Sequence, residues 1–266
     1  MAPISRQEIP QEILKELGGI HRISFPPQGQ TSDVAIIDAG KGLFVLKRAK
    51  GEQYAEWLRR EAFVLECLSP TALRVPKVYQ FVQRQDERDG VQSWLLMECL
   101  LGVPIRQILT RERDPVARSR LLFEFGKSLR EIHATPCPDQ LKSDRKWLDR
   151  MLEQAEYNLI HYQVDGTAAL LEKLKNNRPA DVGQTLIHGD STVDNFLVHE
   201  GRISGIIDWS GGAHGDPRYD VSLAIRPDPG IFQSAQDHDA FFDGYGEKII
   251  TDEEYEYFAD GLYDFF

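Results

Sequence analysis

The stretch from Leu186 to Trp209, LIHGDSTVDNFLVHEGRISGIIDW, constrains this chain more than any other. It reads as a short apolar strand, Thr185 to Ile187, then a polar loop holding two aspartates and an asparagine, then a hairpin. The first arm of the hairpin is Phe196 to His199, Glu200 and Gly201 form its turn, and the second arm, Arg202 to Ile207, delivers Asp208 at its end. Asp190, Asn195 and Asp208 are thereby expected to come towards one point, on turns whose polar side chains have little folding reason to be there.

The residue types indicate the chemistry. Asn195 and Asp208 offer a carbonyl and a carboxylate oxygen, hard ligands that suit Mg²⁺. Asp190 is left to accept a proton from an attacking hydroxyl. Phosphoryl transfer asks a protein mainly to position reactants and neutralise charge, so a base carboxylate beside a metal pair is a sufficient core. Asp-x4-Asn followed by an Asp closing a hairpin is also the arrangement of the protein-kinase catalytic and metal-binding loops. Here His188, Gly189 and Asp190 stand where His-Arg-Asp would, and the missing Arg removes the docking point for a phosphorylated activation loop.

HGDSTVDN, IIDW and GDPRYDVSLAI together resemble the aminoglycoside phosphotransferase and choline kinase superfamily of small-molecule kinases. Any one tripeptide would suit ordinary turns and caps; the joint spacing would not. The resemblance implies an α+β, two-lobed, protein-kinase-like fold. A lobe of antiparallel β-strands plus one helix, residues 1–100, would bind nucleotide. A hinge at about 98–102 would lead to a mostly helical lobe, 103–266, with the catalytic loop and acceptor site.

Composition is normal for a globular chain, with 41% hydrophobic and 27% charged residues. A net charge of −11 argues against a nucleic-acid surface and suits a cationic small substrate. Cys67, Cys99 and Cys137 form no CxxC pair, so a reducing, cytoplasmic setting is expected, without zinc or disulfides. No segment has the apolar run of a signal peptide or membrane span.

Towards the N-terminus, a short helix is expected over Pro10 to Leu17, then strands at His21 to Phe25, Val34 to Asp38 and Leu43 to Arg48. The loop Gly29-Gln30-Thr31-Ser32-Asp33 is the candidate phosphate cover, with the Thr31 and Ser32 hydroxyls and the loop amides as donors. The family implies that Lys47, ending an alternating run, holds phosphates and is fixed by Glu61 of the next helix, Glu52 to Leu68; Glu56 is the lesser candidate. The strand Ser93 to Met97 and the following Glu98-Cys99-Leu100 resemble a kinase hinge. Backbone near Glu98 and Leu100 would bond the purine of ATP or GTP, with Met97 lining its pocket.

Beyond it, Pro115 to Ala134 carries Leu121, Leu122, Phe125, Leu129 and Ile132 on one helical face. A further helix pair is read at Lys146 to Tyr162 and Thr167 to Lys175. By resemblance Asp165, and less directly Glu156, would contact acceptor amines. Asp220, at the start of the helix Arg218 to Ile225, would hold the catalytic-loop backbone, and Asp216 would cap the helix or fix its loop. His214 is expected to be structural, and Arg226 to border the acceptor site. Residues 237–266 contain ten Asp or Glu and end in GLYDFF, like the acidic-aromatic tails of aminoglycoside 3'-phosphotransferases. Asp264 and Phe266 would then meet a cationic acceptor, with Phe258, Leu262 and Phe265 as the buried stripe. Choline, homoserine, macrolide or sugar kinases of the superfamily would use the same core, and a nucleotide-binding module without turnover is the reading from another class.

Overall fold

A computed structural model describes residues 4–26, 31–86, 90–228 and 230–266. The chain divides into two compact units, Met1–Leu101 with Gly205–Gly211, and Gly102–Ser204 with Gly212–Phe266. The short segment 205–211 clusters with the first unit, although the boundary expected from sequence assigns it to the C-terminal region.

The first unit begins with α1 (Gln11–Leu17), ended by Gly18 in the left-handed region. Five strands follow with one helix among them: β1 (Ile20–Ser24), β2 (Asp33–Ala39), β3 (Gly42–Lys50), α2 (Glu52–Leu68), β4 (Val78–Asp86) and β5 (Gly90–Glu98). The strands form an antiparallel sheet in the order β1-β2-β3-β5-β4. Side chains alternate across a strand, so β3 sends Phe44 and Leu46 to one face, where they pack with Ile13, Leu17, Ile37 and Leu96. Lys47 takes the other face, with Leu95 opposite it in the register. Helix α2 has the bounds expected from its periodicity and buries Leu58, Glu61, Ala62 and Leu65.

The second unit is mostly helical: α3 (Ile105–Leu109), α4 (Pro115–Ala134), α5 (Trp147–His161), α6 (Ala168–Asn176), α7 (Pro217–Ala224), α8 (Ala235–Tyr245) and α9 (Asp252–Ala259). Its strands are short: β6 (Val103–Pro104), β7 (Thr185–Ile187), β8 (Phe196–His199), β9 (Arg202–Ile206), whose last two residues belong to the first unit, and β10 (Ala213–Gly215). β7 pairs with β10, and β6, β8 and β9 make a three-stranded sheet. Glu200 and Gly201 both have positive φ, 51° and 73°, as a two-residue type I′ hairpin turn requires. The stripe Phe258, Leu262 and Phe265 is fully buried in a core shared with Trp147, Leu174 and Tyr219.

Two departures concern the acidic tail. It forms α8, α9 and a 3-10 turn, Leu262–Phe265, separated by breaks at Gly246 and Asp260–Gly261. Two of its acids are also spent on folding: Asp237 and Glu254 close capping boxes with Ser234 and Thr251, and Glu254 pairs with Arg218. Among the described residues, no helix is long and apolar enough to cross a membrane, and Cys67, Cys99 and Cys137 are not in disulfides.

Helices α4 and α8 cross at glycines. A Cβ built on Gly126 would lie 1.9 Å from the Phe241 carbonyl oxygen, and one on Gly244 equally close to that of Phe123. Backbone cannot yield as a flexible side chain would, so Gly126→Ala should lower the unfolding free energy by about 3 kcal/mol. Denaturant titration measures this, and an unchanged midpoint would contradict the close helix contact.

Candidate active site

In the first unit the polar cluster is built on Glu61. Its carboxylate oxygens lie 2.7 and 3.0 Å from Lys47 Nζ, and the lysine also bonds Asp208. Lys47 and Glu61 are buried at 6% and 4% exposure, whereas the Asp208 side chain is 43% exposed. Burial alone would favour a neutral amine, but the two carboxylates outweigh it and raise the lysine, which stays charged. Burial raises the Glu61 carboxyl against the pull of Lys47, and the Asp208 backbone N–H donates to it. Glu61 therefore fixes both the cation and the backbone that presents Asp208. Glu56 faces outward to Arg59 instead.

Asp208 lies two residues beyond β9, with φ of 63°, a left-handed conformation that Asp tolerates better than most side chains. The next residue, Trp209, is fully buried and its Nε1 donates to the Ile206 carbonyl at 3.0 Å. That anchor and Glu61 hold the turn on either side of the exposed carboxylate. Met97 is buried at 2% exposure on the Lys47 face. The Glu98 N–H donates to the Lys77 carbonyl at 2.9 Å. Leu100 packs its side chain against Gly205. Ser32 is buried and Thr31 half-buried just before β2, while Gly29 and Gln30 of the expected phosphate cover lie outside the described residues.

In the second unit, the loop after β7 hangs from Asp220 on α7. The Asp220 carboxylate accepts the N–H groups of His188 at 2.6 Å and Gly189 at 2.8 Å, and its carbonyl accepts the Ser191 hydroxyl at 2.6 Å. His133 of α4 bonds Asp220 through Nε2 at 3.2 Å and the Tyr245 hydroxyl through Nδ1 at 2.7 Å. A carboxylate can only accept here, so Nε2 carries a proton. Burial pushes the Asp220 carboxyl up, but His133 and the His188 amide prevail and hold it below the usual carboxylate range.

Asp190 follows on this loop, its N–H donating to His188 Nδ1 at 3.1 Å. Asn195 Nδ2 donates to the Asp190 carbonyl at 2.7 Å and to its Oδ2 at 2.9 Å, and the Tyr263 hydroxyl donates to Oδ1 at 3.3 Å. Using Nδ2 in this way leaves the Asn195 carbonyl oxygen without a hydrogen bond among the described residues. That oxygen and, in the first unit, the exposed Asp208 carboxylate are each a hard oxygen donor of the kind Mg²⁺ takes, an ion that uses few protein ligands and fills its shell from water and phosphate.

Of the expected acceptor residues, Arg226 lies against Tyr263, 4.8 Å from its ring centroid, and Asp264 follows that tyrosine in the chain. Burial raises the Asp264 carboxyl, Arg226 opposes this, and the charges of Asp165 and Asp260 add to it, so three carboxylates and one guanidinium share this region. The Gly166 N–H also donates to the Asp264 carbonyl at 2.8 Å. Phe266 is 39% exposed. Glu156 pairs with Lys175 at 3.2 Å, and His214 sits in β10 opposite Leu186. Asp216 caps α7 and grips the Arg218 guanidinium.

Tyr263, His133 and Arg106 were not legible as site residues. Arg106 bonds both oxygens of Asp194, the neighbour of Asn195, and also bonds Asp228. Only His133 left a trace, as a polar residue on the buried face with Leu129 and Ile132.

An antiparallel sheet with a helix-fixed lysine, and a helical unit whose His-Gly-Asp loop hangs from a helix aspartate, define a kinase-like fold. The chain matches the model of the phosphotransferase enzyme family over residues 22–258 and belongs to that family. An aminoglycoside 3'-phosphotransferase of Enterococcus faecalis is 28% identical over 184 residues, 66% of this chain and 67% of the relative. A homoserine kinase of Neisseria meningitidis serogroup B is 27% identical over 257 residues, 91% of this chain and 79% of the relative. A solved ternary complex of aminoglycoside phosphotransferase APH(4)-Ia, a thermostable mutant with ADP and hygromycin B, shares the fold with a TM-score of 0.66 at 18% identity, covering 96% of this chain and 92% of that one.

Asp220→Asn leaves one acceptor oxygen where two backbone amides and a histidine need two, and should cost about 3 kcal/mol of stability. The wild-type carboxyl lies below the ordinary aspartate value of 3.8, so its contribution is complete at neutral pH and lost as pH falls through the lowered value. The gap between wild type and Asp220→Asn in chemical denaturation should therefore be flat from neutral to mildly acidic pH and close only in strong acid. A gap that closes near neutrality would contradict the assignment.

Proposed function

We propose that the protein transfers the γ-phosphoryl group of ATP or GTP to a hydroxyl of an aminoglycoside, the 3'-hydroxyl by likeness to its relatives. The observation that carries this reading is the placement of the C-terminal turn on Asp190. Tyr263 touches that carboxylate, and the next residue, Asp264, shares its surroundings with Asp165 and Asp260. Acidic groups beside the base hold an acceptor bearing ammonium groups and present its hydroxyl.

Asp190 orients that hydroxyl and takes its proton as the new P–O bond forms. Lys47, held by Glu61, neutralises charge on the donor phosphates. Leu100 and the Glu98 carbonyl meet the purine, Met97 lines its pocket, and Thr31 and Ser32 approach the phosphates. Asn195 and Asp208 would hold Mg²⁺, which when bound offsets charge on the triphosphate. Asp220 and Asp216 support the loops that carry these groups.

A second reading has a specific observation behind it. Arg226 places a guanidinium over Tyr263, beside Asp264, which suits an acceptor with a carboxylate as well as an amine. Homoserine is such an acceptor.

The test is nucleoside-diphosphate release with product mass, run with Mg²⁺ and ATP or GTP on a panel of kanamycin-type aminoglycosides, homoserine, choline and a macrolide. Phosphorylation of the aminoglycosides supports the first reading, and phosphorylation of homoserine alone replaces it with the second. Asp190→Ala should lower transfer by about three orders of magnitude or more, and wild-type turnover by this variant would sink the mechanism. Asp264→Ala should raise the acceptor KM by about tenfold while leaving nucleotide affinity alone. An unchanged acceptor KM would remove Asp264 from the site.

A further inference from the structure

Asp190 is gripped at both oxygens. Asn195 Nδ2 donates to Oδ2 at 2.9 Å and the Tyr263 hydroxyl donates to Oδ1 at 3.3 Å. The second contact comes from a residue 73 positions away in sequence, on the 3-10 turn Leu262–Phe265. We propose that Tyr263 is a positioning residue for Asp190, its hydroxyl holding one carboxylate oxygen while Asn195 holds the other, so that the base is aimed from both sides. This inference rests on the reading of Asp190 as the base.

Three features make the contact a device rather than an accident of packing. The terminal torsion of an aspartate is soft and nearly two-fold, so a grip on one oxygen restrains it less than a grip on both. A base earns its rate only within hydrogen-bond reach of the proton it removes, so its aim matters to turnover. An ionised carboxylate also offers about four acceptor sites over its two oxygens, so both donors can be engaged at once.

The tyrosine is itself held. Leu262 and Phe265, on either side of it in the turn, are fully buried, and the Asn158 amide donates to the Phe265 carbonyl at 2.8 Å. Arg226 covers the ring at 4.8 Å. Burial, and then the charge of Asp190, raise the phenol, so it stays protonated and acts as the donor. Asp190 is the only hydrogen-bond partner of that hydroxyl among the described residues.

The turn also explains why the contact is useful. It carries Asp264, the proposed acceptor contact, directly beside Tyr263. An acceptor that engages Asp264 therefore bears on the same four-residue turn that aims the base. Recognition and alignment are joined through the backbone of one short element.

The test has two parts. First, the protein is labelled with 3-fluorotyrosine and the Tyr263 resonance is identified by its loss in Tyr263→Phe. Fluorine magnetic resonance then compares wild type with Asp190→Asn. A shifted Tyr263 signal is expected, and an unmoved one overturns the contact whatever the activity.

Second, Tyr263→Phe removes the hydroxyl alone. Its kcat for transfer should fall about tenfold, the size expected for losing a hydrogen bond to a charged group, with nucleotide KM and melting temperature unchanged. An unchanged kcat overturns the inference. So does a loss of kcat with parallel changes in nucleotide KM and melting temperature, since that marks a purely structural role. If the wild type phosphorylates no acceptor although the resonance responds to Asp190→Asn, the reading of Asp190 as base has failed and the positioning role falls with it. If transfer is normal and only the Tyr263→Phe comparison fails, the base reading stands and the positioning role alone is lost.

Discussion

A buried carboxylate with no access to water, Asp220, holds the loop on which the proposed base stands. A loop in the interior has no ladder to satisfy its amides, and each orphaned N–H would cost free energy. Asp220 accepts two of them, and its remaining charge is met by His133, which is met in turn by Tyr245. Three helices thus converge on one short irregular segment. The glycine contact between α4 and α8 belongs to the same arrangement, because His133 and Tyr245 can meet only where those two helices run close together.

Glu61 does the corresponding work in the first unit. A buried lysine–glutamate pair adds little net stability, since the desolvation of both ions offsets their attraction. What it supplies is aim: Lys47 is fixed on one side and the Asp208 backbone on the other. In both units the buried carboxylate is an anchor, and the more accessible carboxylates, Asp190 and Asp208, are those proposed to meet reactants. This division follows from electrostatics, because a fully buried carboxylate has spent its charge on fixed partners and an accessible one has charge to offer a ligand.

Local pattern and spacing made much of this legible. Alternation along β3 put Lys47 and Arg48 on opposite faces, and the family resemblance singled out Glu61 over Glu56 on α2, where Glu61 is buried. The hairpin was readable because Glu200-Gly201 between two apolar arms is a turn signal, and Asp216 was readable as a cap because Pro217 follows it. What escaped depends on partners far apart in sequence. Tyr263 means nothing until the turn that carries it reaches Asp190, and Arg106 has no local reason to choose Asp194 and Asp228. Elements with weak periodicity were also missed, such as the five-residue α3 and the helix α8, whose capping box looked like part of an acidic run.

That last confusion bears on substrate charge. Ten acids in the last thirty residues suggest a broad negative surface, yet Asp237 and Glu254 are caps and Glu254 also faces Arg218. Overall charge is therefore a poor guide to the acceptor, and local composition is a better one. Around Asp264, next to Tyr263, it comprises Asp165 and Asp260 against Arg226. If an acceptor brings only ammonium groups, Arg226 serves it best by staying on the tyrosine ring, leaving the three carboxylates to bind. If the acceptor also brings a carboxylate, Arg226 becomes its partner and the same residues select a zwitterion. On the proposed reading, acceptor class would turn on the orientation of one guanidinium over one ring, that of Tyr263, whose hydroxyl bonds the proposed base.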